Sequence, residues 1–282
     1  MRTIAHLSDL HFGRHDPLVV EALAASLTER APDLIAVSGD FTQRALSHEF
    51  AQARAFLDTL PQPKVLVPGN HDVPLYDVVE RVVNPFGKFE HFICPAGVSH
   101  SLFLDDSIAV LGLNTARRFT GKNGRISFEQ VERVRRVFSS LPPHIAKVLI
   151  THHPLAAADE QHGVTLALRA SEALPVIAET GVQLLLSGHH HHSASGPVIP
   201  DVKIEGSVLV VHAGTAVSTR LRGGEGNNYN SIVIHEGRIS VTVMRWTQGA
   251  GFREGATVSY ARAEGRWRVE DATFPRALHV AE

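Results

Sequence analysis

Residues 4–11 read Ile-Ala-His-Leu-Ser-Asp-Leu-His, a short apolar run that passes directly into the polar side chains of Asp9 and His11. The same change recurs along the chain. Apolar runs lead at once into Gly39-Asp40, Gly69-Asn70-His71-Asp72, Thr151-His152-His153 and Gly188-His189-His190-His191. Strands buried on both faces read as near-continuous runs of Val, Ile and Leu. The repetition therefore predicts polar residues at the ends of five buried strands.

Further runs complete an alternation of strands and helices. The other predicted strands are Leu34–Val37, Lys64–Val67, Ile108–Leu113, Lys147–Ile150 and Val182–Leu186. The predicted helices are Leu18–Arg30, Ser47–Leu60, Phe128–Ser139 and Ser171–Thr180. Asp16 before Pro17 is typical of a helix start, because aspartate caps the first turn and proline fits the first helical position. Alternating strands and helices predict an α/β fold.

The last third of the chain is strand-rich. Its predicted strands are Ser207–Ala213, Tyr229–His235, Arg238–Trp246, Ala256–Arg262 and Trp267–Ala272. We expect residues 207–275 to be mostly β and to close the core as a second, more antiparallel sheet. This gives a single domain over 1–275 with a tail at 276–282. Residues 77–101 are either a lid-like insertion or an ordinary surface excursion.

Composition limits the partners and the compartment. The net charge of −2 predicts no binding surface for long nucleic acids. Cys94 is the only cysteine, which is typical of a reducing cytoplasm. We expect neither an export signal nor a membrane span at the N-terminus, and the sequence leaves homo-oligomers open. Histidine is unusually frequent, at 18 residues, and it is the commonest metal ligand.

Strand ends of an open α/β sheet meet at one edge, so the polar residues should converge. Seven of them offer oxygen or nitrogen donors: Asp9, His11, Asp40, Asn70, His152, His189 and His191. A catalytic site for one ion uses about three protein ligands, so seven predict two ions that share a carboxylate. The donor types favour Mn, Fe or Zn over Ca or Mg. Extended backbone would point Asp9 and His11 the same way, and likewise His189 and His191.

These motifs, in this order, resemble the calcineurin-like metallophosphoesterases over residues 4 to about 215. The stretches Ser38–Arg44 and Ala213-Gly214-Thr215-Ala216 resemble the branch that contains bacterial cyclic-nucleotide phosphodiesterases. The chain lacks the Val-Asp-Arg-Gly that follows Gly39-Asp40 in protein serine/threonine phosphatases, which argues against phosphoprotein substrates.

The resemblance implies a four-layer αββα sandwich of two mixed β-sheets flanked by helices. It also implies the ligands of each metal. Asp9, His11, Asp40 and His191 would hold the first ion, and Asp40, Asn70, His152 and His189 the second. Asp40 would bridge the two ions. His71 would bind no metal and would lie beside the scissile phosphate.

The predicted function is a dinuclear metal-dependent phosphodiesterase that hydrolyses small diesters such as cyclic nucleotides by attack of a metal-bridging hydroxide. His71 would act as the general acid. The alternatives are a phosphomonoesterase or a broad nucleotide or phospholipid phosphohydrolase, and a non-catalytic metal-binding module.

Some site residues have a competing structural interpretation. Asn114, His153 and Arg220 are candidate substrate contacts. The competing interpretations are a packing or ligand-supporting role for His153 and a solvated loop position for Arg220. Asp72 could orient His71 or form a cap.

Overall fold

The computed structural model describes residues 1–94, 101–119, 122–158, 163–198, 207–222 and 224–274. The tail at 276–282 and residues 95–100 of the predicted insertion lie outside the described residues. The strands are β1 Arg2–Leu7, β2 Leu34–Val37, β3 Lys64–Leu66, β4 Leu102–Leu104, β5 Ile108–Leu113, β6 Ala146–Thr151, β7 Leu184–Ser187, β8 Ala194–Pro197, β9 Leu209–His212, β10 Asn228–His235, β11 Arg238–Thr247, β12 Gly251–Ala263 and β13 Arg266–Thr273. The helices are α1 Pro17–Arg30, α2 Ser47–Thr59, α3 Val78–Val83, α4 Gly87–Phe92, α5 Phe128–Phe138 and α6 Ala170–Glu179.

Two mixed sheets form the centre of the protein. The first has the strand order β13-β12-β11-β10-β1-β2-β3, and the second has the order β4-β5-β6-β7-β9-β8. In the first sheet β1, β2 and β3 are parallel, and in the second β5, β6, β7 and β9 are parallel. The carboxyl ends of these parallel strands therefore lie together within each sheet.

Three apolar layers hold the sheets and helices together. The middle layer lies between the sheets and includes Ile4, Val148 and Leu184. One outer layer packs α1, α2 and α4 against the first sheet, and the other packs α5 and α6 against the second. The result is the four-layer αββα sandwich that the resemblance implied. No helix in the described ranges combines the length and the apolar character that crossing a bilayer requires.

The membership of the C-terminal strands differs from the prediction. Strands β10 to β13 do not form a separate second sheet; they extend the first sheet from its β1 edge. Among the described strands of this region, only β9 joins the second sheet, where it pairs with β7 and β8. Strand pairing depends on contacts between distant segments, and the alternation of apolar residues along one strand does not report them.

The helix starts follow the sequence closely. The Asp16 carboxylate accepts a hydrogen bond from the Leu18 amide at 2.9 Å and caps α1. Ser127 and Gln130 form the reciprocal bonds of a capping box at the start of α5. In the predicted insertion, α4 packs against α2 through the stacked rings of Phe50 and Phe92, whose centroids lie 6.0 Å apart. A lid function for 77–101 stays a prediction.

Candidate metal centre

The seven predicted metal-binding side chains follow the strands that end at the carboxyl edges of the two sheets. Four of them follow β1, β2 and β3 of the first sheet: Asp9, His11, Asp40 and Asn70. Three follow β6 and β7 of the second sheet: His152, His189 and His191. Their side chains meet in one cluster, in which Asn70 and His189 are half-buried and the other five are buried. Each sheet therefore contributes one part of a shared site.

Five of the seven residues have left-handed backbone, with φ between 48° and 75°: Asp9, His11, Asp40, His189 and His191. The prediction of extended backbone at the paired positions was therefore wrong, although the side chains do converge. Asp and His are among the residues that tolerate this conformation, at about 1–3 kcal/mol each. Backbone bonds from the Asp9 amide to the Gly39 carbonyl, at 3.0 Å, and from the His11 amide to the Asp40 carbonyl, at 2.9 Å, hold it in place.

Two glycines allow the strand ends to approach each other. A Cβ atom on Gly188 would overlap Ser8 Oγ, and a Cβ atom on Gly69 would overlap Asp40 Oδ1. Both positions therefore exclude any larger residue unless the metal-binding loops shift.

The first donor cluster surrounds Asp9. Its Oδ1 lies 3.2 Å from His191 Nε2 and 3.6 Å from His11 Nε2. The two Nε2 atoms are themselves 3.2 Å apart. Asp40 Oδ2 lies 3.7 Å from His11 Nε2 and so borders this cluster.

The second donor cluster surrounds His152. Its Nε2 lies 3.4 Å from Asp40 Oδ2, 3.2 Å from Asn70 Oδ1 and 3.3 Å from His189 Nδ1. Asp40 Oδ2 therefore lies against both clusters, which is the position that a bridging carboxylate needs.

These donors fit two transition-metal ions. Ligand atoms at about 2.1 Å from a tetrahedral ion are about 3.4 Å apart, close to the spacings in both clusters. Asp9 Oδ1 is buried and has no hydrogen-bond partner in the described part of the chain. Three histidines have their Nδ1 atoms at backbone carbonyls, which leaves each Nε2 lone pair facing the centre. These pairs are His11 with Thr42 at 3.3 Å, His152 with Ser38 at 2.7 Å and His191 with Arg220 at 3.1 Å.

The electrostatics favour cations as well. Burial alone would raise the pKa of Asp9, but His191 holds that pKa well below its ordinary range. Burial likewise opposes ionisation of Asp40, whose pKa His152 lowers. Burial and His152 lower the pKa of His189 to about 3, so its lone pair is available. Burial acts against a charge on His152, yet Asp40 raises its pKa to about 9, so cations would compete with a proton there.

His71 is anchored beside the first cluster. Its Nδ1 donates to the Gln43 carbonyl at 2.8 Å, and its amide donates to Asp40 Oδ1 at 2.8 Å. Its Nε2 lies 3.3 Å from Arg220 Nη1, which donates to it. His71 also lies close enough to His11 and Asp40 to offer a ligand atom. The metal content of a His71 variant therefore separates a metal ligand from a residue that binds no metal and only lies beside the site.

Asp72 ties two loops together and does not bond the His71 ring. Its buried carboxylate accepts bonds from the amides of Thr42, Phe41 and Gly69, at 2.9, 3.2 and 2.9 Å. It also accepts a hydrogen bond from the Thr42 hydroxyl at 3.0 Å. Burial and Asp40 raise the pKa of Asp72 to about 7, whereas these amides favour the ionised form. The bonding pattern agrees with the cap interpretation.

Asp72→Asn is expected to lower the free energy of unfolding by about 2–3 kcal/mol, because the new amide would face buried N–H donors. Thermal unfolding of the purified variants measures this effect. Asp77→Asn is the matched control, since Asp77 only caps α3 and asparagine caps equally well. Equal unfolding temperatures for the two variants would contradict the structural role of Asp72.

Two of the three candidate substrate contacts lie at the cluster. The backbone carbonyl of Arg220 faces His191 and its guanidinium faces His71. His153 is buried, its Nδ1 lies 2.9 Å from Thr115 Oγ1, and its Nε2 has no hydrogen-bond partner in the described residues. The His153 ring centroid is 4.7 Å from that of His189.

Asn114 directly follows β5. Its carbonyl accepts bonds from Arg117 and Gln130, and its buried Oδ1 has no partner in the described ranges. It lines a cavity of about 340 Å³ that also borders Pro68. None of its hydrogen bonds within the described ranges reaches the donor clusters.

The neighbouring histidines contact groups outside the donor clusters. His190 Nε2 lies 3.3 Å from the Thr165 carbonyl, and His192 Nδ1 lies 2.6 Å from the Glu225 carboxylate. The sequence interpretation missed Thr215, whose Oγ1 lies 2.8 Å from His191 Nδ1. It also missed the carbonyls that orient the ligands, because every residue carries a carbonyl and no sequence pattern marks them.

Comparison with known proteins decides the family. Residues 2–193 match the sequence model of the calcineurin-like phosphoesterases. The chain belongs to the calcineurin-like phosphoesterase family. This calcineurin-like protein is 25% identical over 206 residues to a probable cyclic nucleotide phosphodiesterase from Synechococcus, with 68% of this chain and 74% of that protein covered.

Solved structures share the fold of the calcineurin-like chain. A dimetal phosphatase from Danio rerio superposes with a TM-score of 0.60 at 12% identity, covering 85% of this chain and 95% of that one. A purple acid phosphatase from yellow lupin seeds superposes with a TM-score of 0.64 at 12% identity, covering 93% of this chain and 54% of that one. At these identities the superpositions show the fold alone.

Proposed function

We propose that this calcineurin-like protein is a phosphodiesterase that hydrolyses small diesters such as cyclic nucleotides, with Mn, Fe or Zn as its metals. The observation that carries the proposal is Asp40, which lies against two donor clusters while His71 is held beside them. The Synechococcus relative, a probable cyclic nucleotide phosphodiesterase, supports the same substrate class.

The residues divide between two ions. Asp9, His11 and His191 would hold one with Asp40, while Asn70, His152 and His189 would hold the other with Asp40. When bound, the pair would supply an activated water and would offset the charge of the phosphoryl oxygens.

His71 would carry the proton for the leaving oxygen. The Gln43 carbonyl fixes its Nδ1 proton, so Nε2 is the atom that faces the reaction. Arg220 donates to that Nε2 in this structure, and a phosphate would offer the guanidinium a charged acceptor instead. We therefore propose that Arg220 binds a non-bridging phosphate oxygen, which leaves Nε2 free to carry the proton. His153 and Asn114 would be further substrate contacts.

A substrate panel with added Mn tests the reaction class. We expect a higher kcat/KM for a nitrophenyl phosphodiester and for cyclic AMP than for nitrophenyl phosphate, read beside elemental analysis of the protein. A preference for the monoester would favour the phosphomonoesterase alternative. Full metal loading without turnover of any phosphoester would favour a binding module.

A further inference from the structure

Helix α3 is apolar but buries none of its residues. Four of its six residues are valines, and Val79 and Val83 are 73% and 77% exposed. Neighbouring large side chains are exposed as well. We call the following set the α3 patch: Leu75, Tyr76, Val78, Val79, Val82, Val83 and Phe119. Contiguous exposed apolar surface of this kind marks an interaction site in a soluble protein.

Hydrogen bonds from two arginine side chains to backbone carbonyls connect the segments that form the α3 patch. Arg81 donates from Nε to the Arg118 carbonyl at 2.7 Å and from Nη1 to the Pro74 carbonyl at 2.8 Å. Arg118 donates from Nη1 to the Val82 carbonyl at 2.6 Å. The segment that carries Phe119 is therefore fastened to α3, and the exposed side chains form a fixed surface.

The rim of the α3 patch is cationic. The Arg44 guanidinium lies 5.9 Å from the centroid of the Tyr76 ring, and that of Arg118 lies 4.8 Å from the Phe119 ring. Arg44, Arg81 and Arg118 border the patch and outnumber the carboxylates of Asp77 and Glu80 there. Glu80 pairs with Lys88 at 2.6 Å, and the Asp77 carboxylate accepts the Glu80 amide at 2.8 Å.

The α3 patch adjoins the metal centre. Tyr76 follows His71 by five residues, so the two α-carbons are at most about 18 Å apart. Arg44 directly follows Gln43, whose carbonyl bonds the His71 ring. A surface that covers the α3 patch would therefore lie near His71.

Charge favours an anionic surface over a second copy of the chain. In a two-fold dimer the same face meets itself, which would bring the arginines of the rim towards one another. Seven side chains are also few, because stable interfaces use about 20–30 residues on each side. A bilayer needs only shallow insertion of apolar side chains beside cationic ones. We propose that the α3 patch docks this protein on anionic phospholipid membranes.

Vesicle sedimentation tests the proposal without any assay of the reaction. The probes are vesicles of phosphatidylcholine alone and vesicles of equal parts phosphatidylcholine and phosphatidylglycerol. We expect the full chain to pellet with the second kind and less so at high salt. Val79→Glu/Val83→Glu should lower the partition coefficient at least about tenfold, because it places charge in the inserted surface.

The controls fix the interpretation. Val269→Glu changes a valine that is 58% exposed on β13, outside α3, and should leave pelleting unchanged. Matching circular dichroism melting curves show that the variants fold.

No pelleting of the wild type, or equal pelleting of the Val79→Glu/Val83→Glu variant, would overturn the proposal. A concentration-dependent dimer in sedimentation velocity that this variant abolishes would instead identify the α3 patch as a contact between copies. Since no substrate is involved, failure here is distinct from failure of the phosphodiesterase proposal.

Discussion

Asp40→Asn is expected to remove at least one of two bound ions and nearly all phosphoesterase activity. Asp40 Oδ2 lies 3.7 Å from His11 Nε2 and 3.4 Å from His152 Nε2, so one substitution weakens both donor clusters. Loss of a residue that only supports a metal ligand costs about 10–100-fold, and a shared ligand should cost more. Asparagine is the right replacement because Asp40 has a φ of 55°, which asparagine tolerates.

The measurement is elemental analysis of the purified variant together with initial rates on a phosphodiester. Asp58→Asn is the control, since Asp58 is a half-exposed carboxylate on α2 that pairs with Arg54. Two ions per chain and full activity in the Asp40 variant would exclude the bridging role.

His71→Ala is expected to lower kcat about 10²–10⁴-fold while the protein keeps two ions. The effect should depend on the leaving group. An alkoxide leaving group needs a proton from His71, whereas nitrophenolate leaves without one. The loss should therefore be much larger for cyclic AMP than for a nitrophenyl diester.

Metal analysis separates this role from its competitor. His71 lies near His11 and Asp40, so loss of an ion from His71→Ala would identify it as a ligand. Equal rate losses on both substrates would also count against proton donation. His91→Ala on α4 is the control, because the His91 ring contacts Phe92 and lies outside the donor clusters.

Local signals in the sequence predicted most of the strands and helices. The continuous apolar run Ile108–Leu113 is a strand buried along its whole length, and the capping residues Asp16 and Ser127 lie where α1 and α5 begin. The site could be predicted for a related reason. Each donor directly follows an apolar strand, and parallel strands bring their carboxyl ends to one edge.

Features that depend on tertiary contacts were not predictable. The left-handed backbone at His189 and His191 is maintained by neighbouring loops, including a bond from the His189 amide to Asp9 Oδ2 at 3.0 Å. The pairing of β10 with β1 joins segments that are far apart in the chain. The exposure of α3 could not be predicted either, since a helix of valines is more typical of a core.

The origin of the ligands in two different sheets has a consequence for how the reaction could be tuned. Asp9 and Asp40 are carried by one sheet and His152 by the other, so the apolar layer between the sheets sets the distance between the two sets of ligands. A change of side-chain volume at Ile4 or Leu184 would alter the gap between the two halves of the centre. Variation deep in the interior, and not only in the loops, can therefore adjust the geometry of the donor clusters.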